Sequence, residues 1–259
     1  MQTLIANDAT LNNNFIPLEP RWEKHSDGKL LTLAFGVEKI LADRLAADVS
    51  GDWESVTPRT AGGGNGFGNV ELMLKYVFLT LPDFSFALSP AVSFPTNSHI
   101  GSDTMETSAG AWLTWGGRFG AFTQSHWARL FRPLELQGDL GYTHTFEHPG
   151  ADQLSFDPVV DYSLPYLAYL DGRDIMWPLR NLCFFSEMNI TQPLGGSEAA
   201  GTFIFVTPGM AYMTPLYQFT IGAQIPLDRA SSRAQTFAIV ASLIIAMDQI
   251  DPWFGRKFF

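Results

Sequence analysis

Several groups of residues in this chain have types and spacings that could do chemistry. The segment TNSHIGSD supplies Ser98, His99, Ser102 and Asp103. A hydroxyl nucleophile, a base and an acid are the parts of a hydrolase that could cleave a lipid ester. Adjacency of Ser98 and His99 is not triad geometry, however, and the stretch reads as a loop of small polar residues. The segment HTFEHPGAD supplies His144, Glu147, His148 and Asp152. These types can hold a divalent metal. Two His and two acids at this spacing carry no specific site signature, so a solvated loop is the better reading. The glycines of AGGGNGFG precede an alternating segment instead of opening a helix, and no phosphate-binding Lys-Ser/Thr follows. They are not a nucleotide loop. Cys183, in LCFFSE, is the single cysteine. It permits no internal disulfide and reads as a small lining residue. The sequence therefore assigns no catalytic residue, no metal ligand and no cofactor.

A larger group is electrostatic. Glu19, Arg21, Glu23, Glu38, Asp48, Asp52, Glu54, Glu71, Lys75, Arg118, Glu135, Asp139, Asp161 and Glu187 all fall on the polar face of an alternating segment. Eleven are acids and three are bases. Lining an open passage, such a set favours cations over anions. Paired with one another, the same side chains would fill and close a narrow interior.

The elements that position these residues repeat with period two, the signature of strands. In GNVELMLKYVF one face carries Val70, Leu72, Leu74, Tyr76 and Phe78, and the other Glu71, Met73 and Lys75. In LLTLAFGVEKI, Leu31, Leu33 and Phe35 oppose Thr32, Ala34 and Glu38. Phe86 and Leu88 lie on the apolar face of FSFALSPAVSF, and Phe219 and Ile221 on that of YQFTIGAQIP. About twelve such segments are read, at 15–24, 29–40, 45–56, 69–80, 84–95, 108–120, 134–146, 159–170, 180–192, 202–213, 216–226 and 236–248. Most exceed the usual strand length of about 5–6 residues and match the roughly 9–11 that a tilted strand needs to cross a bilayer. Trp53, Tyr76, Phe78, Phe84, Phe94, Trp115, Tyr142 and Tyr217 sit near the ends of apolar faces, where interfacial girdles form.

The connections alternate. ILADR, LTLPDF and MTPLY are tight, while TPRTAGGGNG, TNSHIGSDTMETS, EHPGADQLSFDP, LGGSEAAG and LDRASSRA are longer and polar. Two links on the tight side, 124–133 and 171–180, are long and basic, with room for a short helix each. Pro90, Pro165 and Pro208 fall inside read strands and donate no ladder bond, which predicts bulges or strand ends there.

Totals bound the class. The chain has 259 residues, a formal net charge of −10, and 46% hydrophobic but only 16% charged residues. Acidity argues against a nucleic-acid surface. No apolar run reaches the ~18 residues of a membrane-spanning helix; the longest is FAIVASLIIAM, 237–247. The N-terminus lacks the basic and apolar regions of a secretory signal, so a processed, mature form is expected.

The run GNGFGNVELMLKYVFLTLPDFSFALSPAVSFPTNS resembles the outer-membrane transporter family linked to the meta-pathway of phenol degradation. Its Gly-Phe-Gly turn, strand ending in Lys-Tyr-x-Phe, short turn and strand ending in Pro-Thr are similar to that family's pattern. DYSLPYLAYL, TPGM at 207–210, GAQIPLDR and MDQIDPWFGRKFF are similar too. The resemblance covers most of the chain from about residue 15 and its motifs are structural. It implies a barrel of about 12 strands in a Gram-negative outer membrane, passing small and often hydrophobic compounds. Many outer-membrane barrels end in a terminal-strand Phe read by the insertion machinery. Here Phe259 is terminal, but Asp251-Pro252 separates it from the last alternating strand.

The expectation is an all-β fold, a transmembrane antiparallel up-and-down β-barrel over residues 15–259, with residues 1–14 a flexible or lumen-associated segment. The expected location is the bacterial outer membrane. The function expected is a channel or transporter for passive passage of small molecules, including hydrophobic or aromatic ones. A plugged barrel whose loops bind a partner, or a lipid-modifying enzyme, is the alternative. Outer-membrane lipid, a small-molecule solute and the outer-membrane insertion machinery are the expected partners, and nucleic acid is not. Leu31, Leu33, Phe35, Val70, Leu72, Leu74, Tyr76, Phe86, Leu88, Phe219 and Ile221 are expected to face lipid, and the charged set above to face the lumen.

Overall fold

A computed structural model describes residues 15–59, 63–95, 106–119, 131–146, 152–169, 171–195 and 201–251. Twelve strands run β1 (Phe15–Lys24), β2 (Gly28–Ala42), β3 (Leu45–Pro58), β4 (Gly64–Thr80), β5 (Phe84–Phe94), β6 (Ser108–Arg118), β7 (Leu134–Thr145), β8 (Gln153–Ser163), β9 (Leu182–Pro193), β10 (Phe203–Met213), β11 (Tyr217–Pro226) and β12 (Phe237–Ala246). Each pairs antiparallel with its neighbours in sequence, and β1 pairs with β12, so the sheet closes. Closure removes the edges, as hydrocarbon requires of a spanning sheet. No helix among the described residues is long and apolar enough to cross a membrane.

Burial inverts the order of a soluble protein. Leu72, Leu74, Tyr76, Phe78, Leu88, Leu140, Phe184 and Phe219 are each 43–49% exposed, while Glu38, Glu54, Lys75, Asp139, Asp161 and Glu187 are all 5% exposed or less. An exposed belt of large apolar side chains around a polar interior is the surface of an outer-membrane-type barrel. Aromatic rings gather at both ends of the exposed face. Phe78 and Phe86 approach to 6.3 Å between centroids, and Tyr212 and Tyr217 to 6.4 Å, at the rim where β1 begins. Trp22, Phe67, Phe94 and Tyr142 lie toward the opposite rim, which we term the second rim.

One strand and two prolines depart from the sequence reading. The eighth strand runs 153–163, six residues earlier than its alternation placed it, and Pro165 belongs to α1 (Leu164–Tyr169). No bulge occurs at Pro90 or Pro208. Pro90 pairs with Ala111 and Pro208 with Ser186 in unbroken register. On their other sides the pairing skips the proline and resumes in the same register, from Met73↔Ala91 to Tyr76↔Leu88, and from Val206↔Ile225 to Gly209↔Gly222. A missing N–H thus costs one ladder bond without shifting the strand. The register shifts fall elsewhere, at Ile40/Ala42, Gly51/Trp53 and Val77/Leu79. The link after β8 holds α1 and a 3-10 turn, Leu179–Asn181; most of the 124–133 link lies outside the described residues. Another short helix, α2 (Arg229–Ala234), occupies the link between β11 and β12 and is capped by Asp228, whose carboxylate accepts from the Ser231 N–H at 2.7 Å.

Candidate functional site

Cross-strand register gathers the polar faces into one buried surface. Glu38 sits opposite Asp48, and Asp48 opposite Met73; Ser50 sits opposite Glu71. Glu135 faces Asp161 and Asp139 faces Asp157 across β7 and β8, and Val159 faces Glu187 across β8 and β9. Of the residues singled out in the sequence, Glu23, Glu38, Glu54, Lys75, Asp139, Asp161 and Glu187 are buried. Glu19, Arg21, Asp48, Asp52, Glu71 and Glu135 are half-buried, and Arg118, the last residue of β6, is exposed opposite Glu135. On the other face, Leu31, Phe35, Val70, Leu72, Leu74, Tyr76, Leu88, Phe219 and Ile221 are exposed, and Leu33 and Phe86 half-buried.

Two groups of bonds organise the buried surface. The Lys75 ammonium donates to Glu38 at 2.7 Å. Ala46, fully buried on the strand between them, leaves room for the lysine stem to cross β3. A longer chain runs around the wall from β1 to β8. Arg21 pairs with Glu23 and donates to Gln224 at 2.6 Å and to Gln235 at 3.2 Å. Gln224 donates to Asn189 at 3.1 Å, and Asn189 donates to Asp157 at 3.2 Å. Further along, Gln137 donates to Asp161 at 3.1 Å, and the Cys183 thiol lies 3.6 Å from the same carboxylate. A low-dielectric wall strengthens each bond of such a chain, so these residues hold each other in place.

The surface is not uniformly polar. Phe185, Val159, Ala238 and Val240 form a buried apolar cluster. Phe185 lies over its register partner Gly209, where an added Cβ would run into the ring. Trp112 lies over its partner Gly141 in the same way. An aromatic ring laid flat on a cross-strand glycine occupies less of the interior than one standing upright. We expect Gly209→Val to destabilise the barrel by about 1–3 kcal/mol through overpacking against Phe185. Guanidine unfolding in lipid vesicles reads this directly, and an unchanged midpoint would contradict the packing.

Sequence reasoning missed Asp157, Asn189 and Gln235. Asp157 precedes Pro158, and an Asp-Pro pair inside a polar segment reads as a turn. Gln235 follows α2, in a link with no periodicity.

The other chemical candidates resolve only in part. Ser98, His99, Ser102 and Asp103, together with Glu147 and His148, lie outside the described residues. His144 and Asp152 are 2.7 Å apart, and Tyr142 donates to the same carboxylate at 2.6 Å. Hydrogen bonds from Tyr142 and then His144 hold the Asp152 carboxyl below its ordinary value. A depressed folded-state value contributes stability above the unfolded value and loses it as pH falls through the folded one. The tether of the β7–β8 link should therefore persist through neutral and mildly acidic pH and release only below the usual carboxylate range. The Tyr142 ring signals in NMR should follow that transition, and Asp152→Asn should remove it.

No protein-family model matches the sequence, and no curated protein matches it. Solved structures do. The chain is similar to the COG4313 outer membrane channel from Pseudomonas putida F1, with a TM-score of 0.64 and 9% identity over 95% of this chain and 99% of that one. It is similar to the NanC porin, with a TM-score of 0.52 and 13% identity over 89% and 98%. It is similar to the KdgM porin as well, with a TM-score of 0.51 and 12% identity over 88% and 98%. At these identities the likeness is one of fold, a barrel shared with outer-membrane channels and porins.

Proposed function

We propose that the chain is an outer-membrane channel for passive passage of small molecules, with the buried polar surface as its lining and the exposed apolar belt against lipid. The observation that carries this reading is the inversion of burial on a closed barrel, with charge inside and Leu, Phe and Tyr outside. The shared barrel of the solved porins and channel supports it. The acid-rich lining makes cations preferred over anions. The buried cluster of Phe185, Val159 and Val240 makes part of the inner wall uncharged and apolar, in keeping with the resemblance to transporters of phenol-type pathways. Outer-membrane lipid and the insertion machinery are the partners such a barrel requires.

Single-channel recording in planar bilayers tests the reading. Small, cation-selective openings are expected, and Phe185→Ala should raise their conductance. A barrel that folds in lipid but gives no conductance and no solute uptake in liposomes would sink the channel and return the plugged-scaffold alternative.

A further inference from the structure

We infer a binding site for the phosphate of a lipid headgroup on the outer wall at the second rim, formed by Lys24, Lys29 and Arg59. This rests on the reading that the exposed face meets lipid. Lys24 and Lys29 are direct register partners across β1 and β2, and both are exposed. Like charges placed directly opposite on neighbouring strands repel and weaken the pair. In a chain of net charge −10, two of the few lysines are nonetheless set against each other. Thr57 pairs with Lys29, and two residues on Arg59 is exposed, its backbone N–H donating to the Asp27 carbonyl at 2.8 Å. Three cations thus stand at the end of one hairpin and its neighbouring strand. Glu23 is held by Arg21 and His25, and Asp27 is exposed at the hairpin tip. Among the described residues no carboxylate forms an ion pair with Lys24, Lys29 or Arg59.

An anion seated between the two ammonium groups converts the repulsion into a bridge. The surroundings identify its carrier. Trp22 lies on the same face, with the Lys29 ammonium 6.0 Å from its ring centroid, and pairs with Leu31, where the apolar belt begins. Tryptophan marks headgroup depth, and lysine stems lie along apolar surface while their heads reach the interface. A ligand here must offer phosphate at the level of the lysines and hydrocarbon immediately below it, as a phosphorylated lipid does.

Two measurements on the full chain, folded in a non-ionic detergent, test the assignment with diphosphorylated lipid A as probe. Native mass spectrometry should show the wild-type barrel retaining the lipid. Lys24→Gln/Lys29→Gln should weaken retention roughly thirtyfold, given what each basic residue near headgroups contributes, and the Lys→Arg pair should keep it. Thermal unfolding should change sign. Without the lipid, Lys29→Gln should melt a few degrees higher than wild type, because the repulsion is relieved; with the lipid, wild type should melt higher. Equal retention by both proteins, equal retention of a dephosphorylated lipid, or a melting shift reproduced by inorganic phosphate alone would overturn the assignment. Failure of the membrane reading shows separately, as folding of the chain in plain buffer.

Discussion

Lys75→Met should destabilise the barrel by about 3–5 kcal/mol, because it removes the ammonium bridged to a buried carboxylate. Lys75 and Glu38 are 5% and 3% exposed, and their charged atoms are 2.7 Å apart. Glu38 faces Asp48 across β2 and β3, so the residue directly opposite it is another acid. Two effects compete in such a pair. Desolvation makes both charges expensive to bury, so the intact bridge contributes little net stability over apolar residues of the same volume. Removing one partner alone leaves the desolvation cost of the other unanswered, which dominates. The double variant Lys75→Met/Glu38→Leu should therefore recover much of the loss. Urea titration of barrels in lipid vesicles, read by the gel shift between folded and unfolded forms, measures both. A single-variant loss under about 1 kcal/mol, or a double variant no better than the single, would show that solvent reaches the bridge and screens it.

The parts of this fold legible in the sequence are those where one face must be apolar and the other cannot be. In β4, Val70, Leu72 and Leu74 alternate with Glu71, Met73 and Lys75, and the strand lies where its period places it, with five further residues at its start. Buried charges stood out in such strands at Glu38, Asp139 and Glu187, whereas Arg118, on an equally polar face, is exposed. Three features were not legible. In β12 both faces are apolar, since Ala238, Val240 and Ile244 are buried while Ile239 is exposed, so no alternation reports that this strand lines part of the interior with hydrocarbon. At β8 an Asp-Pro pair mimicked a turn and displaced the strand by six residues, taking Asp157 out of the candidate set. In the link after β8, Leu164–Tyr169 continues the apolar pattern of the strand, but the chain there turns into α1. Residue order cannot distinguish these cases, because what decides them is which residues sit on the neighbouring strands. The Phe185–Gly209 contact is of the same kind. Each residue is unremarkable in its own segment, and only the register brings the ring over the glycine.

Leu72→Arg and Met73→Arg, one residue apart, should behave oppositely. Leu72 is 47% exposed, between Val49 on β3 and Val92 on β5, on a face that is apolar along its length. Arginine there is expected to cost about 2–4 kcal/mol near the middle of the membrane, falling toward the interfaces. Met73 pairs with Asp48 and Ala91 on the other face and is flanked along β4 by Glu71 and Lys75, each two residues away. A guanidinium at 73 finds Asp48 directly opposite, so the cost there should be far smaller. Because side chains switch faces with each residue, a one-residue slip of β4 would exchange the two outcomes, which makes the pair a test of register as well as of membrane contact. Folding yield into lipid vesicles, scored by gel shift, gives the comparison. Arginine at 72 would also harm a soluble protein that packed this face against itself, so the control is the wild-type chain without lipid or detergent. It should fail to fold, since a belt holding Leu72, Leu74, Tyr76 and Phe78, all exposed, has no protein partner in the structure described. Monomeric folding in plain buffer would overturn the membrane reading, whatever the two arginines did.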